Sequence, residues 1–335
     1  MIREVIKKLN KKKDLTAQEM QEVMQGILKG TSGTSDIVEF LTLLNAKGET
    51  VQELTAAVEM MLKYVDPIIV DKPNILDTCG TGGDKLGTFN ISTIAAFVAS
   101  AAGVTVAKHG NRSVSSKCGS ADILEALGVN IDMDKVKIKR CLEDIGIAFL
   151  FAQNLHPAMK NVMPARKQIS SKTMFNILGP LINPARATNQ LIGVYSQKWP
   201  KILAQVLYNL GTKHVLVVHG RDGLDEVTTT DKTFVAEVNA GQFKDYEISP
   251  EDFGFKRVAL KDLSGGDLSD NVAIAKDVLA AKLGPHRDIV LLNSGCAIYA
   301  ADRVNSIQEG IKVATEAIDS GKAQEKLELL KEYSG

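Results

Sequence analysis

Three glycines in four positions, Gly80, Gly82 and Gly83, sit within Asp77-Thr78-Cys79-Gly80-Thr81-Gly82-Gly83-Asp84. Glycine takes positive φ and puts no Cβ between backbone and ligand, so this run can close its amides on a bulky polar group. Asn90, Ser92 and Thr93 then offer cap-type side chains ahead of the apolar run Ile94–Ala99. A helix starting there aims its free N–H groups at the loop and forms a seat for phosphate. The Walker pattern fails because Lys85 follows Asp84 and precedes Leu86, and Lys85 also occupies the third-glycine position of a dinucleotide fingerprint. Lys108-His109-Gly110-Asn111-Arg112 supplies two cations and two amide or imidazole donors, followed by Ser113, Ser115, Ser116, Lys117 and Ser120. Beside a glycine-rich loop, that cluster reads as an anion cradle.

Two further features could carry chemistry. Asp225-Glu226 is either a solvated turn or the small carboxylate set with which Mg²⁺ completes its shell on a phosphate substrate. Arg166 alone reads as a surface residue or ion-pair partner, although a guanidinium fork also fits a carboxylate bidentately. Cys79, Cys118, Cys141 and Cys296 show no CxxC spacing, so neither a zinc site nor a disulfide framework is expected. Small side chains in tight loops account for Cys79 and Cys118 as well as a catalytic thiol does.

The elements that must position these residues follow from periodicity. Ile2, Val5, Ile6 and Leu9 repeat at helical spacing, as do Met20, Val23, Met24 and Ile27, with Gly30 as a stop. Two more helices are expected over 35–44 and 51–64, and Pro67 and Pro73 bracket a linker. From residue 74 strands alternate with helices: strands at 74–76, 104–107, 147–151, 190–195 and 215–219, helices near 93–102, 120–127, 134–144 and 199–210. Strand-like segments follow around 234–238 and 242–247, and then helices over 272–283, 288–301 and 304–320. The expected class is α/β: a largely parallel sheet flanked by helices, with a small all-helical lobe and ligands beyond the carboxyl ends of the strands. The segment from His156 to Pro184 interrupts the alternation.

Lys plus Arg equals Asp plus Glu at 40 each, a formal net charge of zero, which argues against a nucleic-acid or membrane-surface protein. No apolar run approaches a membrane span, and the start MIREVIKKLNKKKDL lacks the apolar core of a signal peptide, so a cytoplasmic location is expected.

The words GTGGD, TFNIST and KHGNRSVSSKCGSADILEALG, then NVMPARKQ, FNILGPLINPA and GLDEV, closely resemble the anthranilate phosphoribosyltransferase family in that order, from about residue 2 to residue 330. The resemblance implies the two-domain fold of the nucleoside phosphorylases and these phosphoribosyltransferases. It divides the chain into a helical domain, 1–70 with a crossing segment 160–188, and an α/β domain, 74–155 and 190–335. It implies transfer of phosphoribose from phosphoribosyl pyrophosphate (PRPP) to the amine of anthranilate in tryptophan biosynthesis. PRPP would be bound by Gly80, Gly83, Asp84, Thr88, Asn90, Ile91, Ser92, Thr93, Lys108, His109, Gly110, Asn111, Arg112, Ser113, Val114, Ser115, Ser116 and Ser120. Gly80, Asn111 and Arg166 would bind anthranilate, and Ser92, Asp225 and Glu226 would hold two Mg²⁺ ions. No catalytic acid, base or nucleophile is expected: His109 and His219 lie near the site, but an aryl amine is already unprotonated at neutral pH. The family's helical lobes pair as homodimers. Lys167-Gln168 and Lys172 depart from the usual pattern, which puts in doubt the local supports of Arg166. Two rivals fit less well. A pyrimidine nucleoside phosphorylase would not be expected to join GTGGD with Asp225-Glu226, and a nucleic-acid-binding relative should show a basic surplus and a broken site.

Overall fold

The computed structural model describes residues 1–113 and 118–335. Helices α1 (Ile2–Leu9), α2 (Ala17–Leu28), α3 (Thr34–Lys47) and α4 (Val51–Leu62) form the amino-terminal bundle. Thr16 and Thr50 open α2 and α4 as capping boxes: each hydroxyl accepts an N–H three residues on at 3.2 Å, and Glu19 and Glu53 return to the threonine N–H at 2.7 and 2.8 Å. Glu53 is fully buried yet satisfied, since it also accepts from Leu15 N–H at 2.8 Å and Lys47 Nζ at 2.9 Å.

The strands are β1 (Leu76–Asp77), β2 (Val106–Gly110), β3 (Ile147–Phe151), β4 (Asn189–Gly193), β5 (His214–Gly220), β6 (Thr233–Asn239) and β7 (Gln242–Ile248). They form one sheet in the order β3-β2-β1-β4-β5-β6-β7. Pairs among β1 to β5 are parallel, and β6 and β7 are added antiparallel. Helix α5 (Ile91–Ala101) joins β1 to β2. The chain leaves β1 toward β2 on one side and meets β4 on the other, so the strand order reverses there and opens a crevice at the carboxyl ends.

Two strands differ from the periodicity. Asn74 has φ +50° and cannot begin a strand, so β1 starts two residues later. β2 begins at Val106, because Val106 N–H bonds to Gly146 O at 2.9 Å and the register with β3 runs on to Gly110 opposite Phe151. Lys108, His109 and Gly110 therefore lie inside the strand rather than in the loop beyond it. After α6 (Ser120–Ala126), the helix expected over 134–144 forms in two pieces. α7 covers Lys135–Arg140, and a π-helical turn, Cys141–Ile145, completes it before Gly146 at φ +76°. A last helix, Lys322–Ser334, has no counterpart in the periodicity: it is mostly polar and buries only Ala323, Leu327, Leu330 and Ser334.

Alternation along the central strands divides the interior. Ile192, Val215, Val217, Ala236 and Val238 face a core that also holds Leu9, Met24, Phe40 and Leu54 of the bundle. Val162, Ala165, Phe175, Ile177 and Leu178 of the interrupting segment enter the same core. Leu191, Leu216, Val218 and Val235 turn the other way, toward α5 and the helix Pro285–Ala300.

Candidate active site

The glycine run follows β1. Gly82 and Gly83 have φ of +64° and +81°, where a side chain would strain the backbone. A Cβ on Gly80 would sit 3.4 Å from Gly193 O and 3.5 Å from Asp225 Oδ2, so the loop lies directly against the acidic pair. Thr81 N–H bonds to Gly193 O at 2.9 Å, and Tyr195 N–H to Thr81 Oγ1 at 3.2 Å. From the interrupting segment, Lys172 donates to Gly83 O at 2.7 Å with its Nζ 3.1 Å from the Tyr195 ring centroid.

Asn90 occupies the N-cap of α5, but its side chain makes no cap bond, contrary to the sequence reading. Its Nδ2 donates to Cys118 O at 3.2 Å and Asn271 Oδ1 at 3.3 Å, and Asn271 Oδ1 also accepts Asn90 N–H at 3.2 Å. Asn271, absent from the sequence reading, thus orients the start of α5. Ile91 is buried, Thr88 bridges Ser264, and Thr93 is buried with its hydroxyl unpartnered among the described residues. Lys108 is buried, and its Nζ donates to Thr78 O at 3.0 Å and Ser92 Oγ at 3.3 Å.

Beside Lys108, His109 N–H donates to Asp77 Oδ1 at 3.1 Å while Asn183 Nδ2 donates to Asp77 Oδ2 at 2.7 Å. Burial raises Asp77 to about 6 against the opposing effect of Asn183 and Lys108. Asp77, Cys79 and His109 present ligand-type atoms within 4.8 Å of one another. Both Asp77 oxygens already accept hydrogen bonds, and burial pushes the Cys79 thiol strongly up, so this trio reads as scaffold. His109 Nε2 lies 2.9 Å from His156 Nε2, and burial lowers the pair to about 3 and about 4, so both rings are neutral at pH 7.

Gly110 admits no side chain, since a Cβ would run into Ser120 and Phe149. Ser120 Oγ donates to Asn111 O at 3.2 Å, and Asn111 Oδ1 accepts Arg112 N–H at 2.8 Å and Gln153 Nε2 at 3.1 Å. Arg112 is engaged with Asp122 at 3.0 Å and Glu125 at 2.8 Å, so of the two expected phosphate cations only Lys108 lacks a carboxylate within ion-pair distance among the described residues. Ser113 N–H bonds to Asp122 Oδ2 at 3.1 Å. Val114, Ser115, Ser116 and Lys117 lie outside the described residues.

Asp225 and Glu226 leave the end of β5 and meet Asp84 of the glycine run. Burial pushes Asp225 well up, and the Asp84 and Glu226 charges add to it. Glu226 rises to about 7, again through burial, with Lys108 opposing, Asp84 adding, and the Ser92 amide and hydroxyl opposing. Asp84 Oδ1 accepts Leu86 N–H at 3.1 Å, and its buried Oδ2 has no hydrogen-bond donor among the described residues. Three carboxylates with Lys108 beside Glu226 and Lys172 beside Asp84 and Asp225, and one oxygen without a donor among the described residues, fit a hard divalent cation. Arg166, at the end of the helix Met163–Arg166, is partly buried, and burial lowers its guanidinium. Its side chain makes no hydrogen bond or ion pair among the described residues, nor any contact of that kind with the other predicted site residues. His219 Nδ1 lies 2.7 Å from Val194 O, in the sheet.

Residues 72–324 match the glycosyl transferase family a/b domain, and residues 3–65 its helical bundle domain. The anthranilate phosphoribosyltransferase of Petrotoga mobilis is 47% identical over 329 residues, 98% of this chain and 96% of that protein. The crystal structure of the Thermus thermophilus enzyme of that name is similar with a TM-score of 0.93 at 39% identity, covering 98% of each chain. The Saccharomyces cerevisiae enzyme solved with PRPP and Mg has a TM-score of 0.91 at 28% identity, covering 99% of this chain and 97% of that one. It has also been solved with 4-fluoroanthranilate.

Proposed function

The chain belongs to the anthranilate phosphoribosyltransferase family, and from that premise we propose how its own residues divide the work. It transfers phosphoribose from PRPP to the amine of anthranilate, giving N-(5-phosphoribosyl)anthranilate and pyrophosphate in tryptophan biosynthesis, and it uses Mg²⁺. The observation that carries the site assignment is the meeting of the three carboxylates Asp84, Asp225 and Glu226, which Lys108 and Lys172 offset only in part. Asp225, Glu226 and Ser92 would hold the metal, as two Mg²⁺ ions. Bound Mg²⁺ neutralises charge on the pyrophosphate leaving group.

The remaining work is positioning. Gly80, Gly83, Asp84, Thr88, Asn90, Ile91 and Thr93 line the path from the glycine run to the first turn of α5, where amides not capped by Asn90 receive phosphate. Lys108, His109, Gly110 and Asn111 continue that path along β2, with Arg112, Ser113 and Ser120 closing it, and Val114, Ser115 and Ser116 are assigned to PRPP by the family resemblance. Arg166, Asn111 and Gly80 hold anthranilate, the unpaired guanidinium taking the carboxylate. No side chain has to remove a proton before attack, and neutral His109 is an uncharged wall for the acceptor. Holding amine and ribose carbon together supplies most of the advantage.

We place the protein in the cytoplasm as a homodimer paired through its helical lobe; no described helix is long and apolar enough to cross a membrane. Loss of anthranilate fluorescence tests the whole reading. It should require both PRPP and Mg²⁺, whereas thymidine phosphorolysis or tight DNA binding without that loss would overturn it.

A further inference from the structure

Asn293 lies in the middle of the helix Pro285–Ala300, fully buried between Leu291, Leu292, Cys296 and Ala297. A primary amide in such a core is costly unless its donors and acceptor are met. Its Oδ1 accepts Val227 N–H at 2.9 Å and its Nδ2 donates to Val227 O at 2.7 Å, with Ile289 O, one turn back, also accepting at 2.9 Å. The side chain makes with Val227 the pair of bonds that a neighbouring strand would make. Val227 is buried and directly follows Glu226.

The other flank of the turn is fixed by shape. Any Cβ on Gly193, the last residue of β4, would overlap the Asp225 carbonyl, so the two backbones touch there. Backbone contacts therefore hold the Asp225-Glu226 turn from both sides, while its carboxylates reach Gly82, Asp84 and Ser92. Without such a hold, two repelling, partly buried acids would relieve their burial by swinging toward solvent.

We propose that Asn293 is a positioning residue: through Val227 it keeps the Asp225-Glu226 turn in the geometry that receives Mg²⁺ and pyrophosphate, without touching either. This rests on the reading of Asp225 and Glu226 as metal ligands. Outer-shell supports of metal ligands typically change metal affinity by about 10- to 100-fold.

The test uses the full chain. Asn293→Leu keeps the volume and removes the bonds, Asn293→Asp keeps only the acceptor for Val227 N–H, and Leu292→Ala is a control that weakens the same helix without touching the turn. Asn293→Leu should raise the Mg²⁺ concentration for half-maximal rate about tenfold while KM for anthranilate stays put. In the ligand-free protein it should speed hydrogen exchange of the Val227 amide by a similar factor. Asn293→Asp should give the same split with a smaller shift, and it carries the test if Asn293→Leu does not fold. Leu292→Ala should lower Tm and leave both readouts alone. Faster exchange at Val227 with a wild-type Mg²⁺ requirement would overturn the positioning role while leaving the metal ligands in place. Equal Mg²⁺ shifts in Asn293→Leu and Leu292→Ala would reduce Asn293 to packing. If Asp225→Asn leaves the Mg²⁺ requirement unchanged, the ligand assignment itself fails.

Discussion

Two clusters of acids sit on β5 and its neighbours, and their chemistry is opposite. At the start of β5, His214 is gripped by Asp302 at 2.6 Å and Glu237 at 3.1 Å, and Glu237 also accepts from Tyr246 and Tyr299 hydroxyls at 2.8 Å each. Burial there acts against charge on both partners, yet His214 is held up and Glu237 down, because each meets the other's charge. At the end of β5, Asp225 and Glu226 are held up: burial and Asp84 act together, and the Gly82 amide at Asp225 and Lys108 with Ser92 at Glu226 offset only part. One cluster is electrically complete and ties sheet to helix. The other is only partly offset by Lys108 and Lys172, and the rest of its counter-charge has to arrive with the substrate.

The largest effect should separate the clusters by stability. Glu237→Gln strips a carboxylate partner from buried His214 and should cost about 3 to 5 kcal/mol by denaturant unfolding, with KM values unchanged in the folded fraction. Glu226→Gln should do the reverse, lowering kcat by about 100-fold, or roughly 2.7 kcal/mol, while leaving the protein as stable or slightly more so. If Glu226→Gln unfolds the protein and Glu237→Gln abolishes turnover, the division drawn above is wrong.

Arg166 extends the contrast to a cation without an internal partner among the described residues. Arg166→Ala should raise KM for anthranilate by about 1.5 to 3 kcal/mol in free-energy terms and hardly move PRPP affinity. Aniline, lacking the carboxylate, should lose little further rate in the variant. A rise in PRPP Kd instead would move the acceptor assignment to Asn111.

The smallest effect is in pH. His214 is raised in the folded state, so its share of stability is complete below its ordinary 6.5 and is lost as pH rises through the raised value. Glu237 is lowered, so its share is complete above 4.5 and is lost as pH falls through the lowered value. Glu226 is raised to about 7, so the folded state binds the extra proton and stability declines as pH climbs from 4.5 through 7. Tm of the ligand-free protein should therefore fall between pH 5 and pH 8, and Glu226→Gln should flatten the part below pH 7. PRPP with Mg²⁺ should raise Tm more at pH 8 than at pH 6. Equal gains would show that no proton competes with the cation.

Local signals made much of the molecule legible. The strand and helix alternation, the glycine run and the polar start of α5 are written within a few residues of one another, and β6 and β7 are joined by a positive-φ turn at Ala240-Gly241. What periodicity cannot carry is partnership between distant residues. Asn271 meets Asn90 across 181 positions, Asn183 meets Asp77 across 106, and Lys172 meets Gly83 across 89. Each is a single polar side chain whose neighbours in sequence say nothing of its target. The two-residue advance of β2 is hidden for the same reason: register with β3 decides it.

The shared core has a consequence for the order in which the chain is made. The apolar face of α1 to α4 is covered by residues as far along as Trp199, Leu203, Val217 and Val238. A ribosome adding about 5 to 20 residues per second leaves that face open for on the order of ten seconds after the bundle has emerged. During synthesis the first part of the protein to appear is thus among the last to be finished, and in that interval it offers nascent-chain chaperones their first large apolar surface.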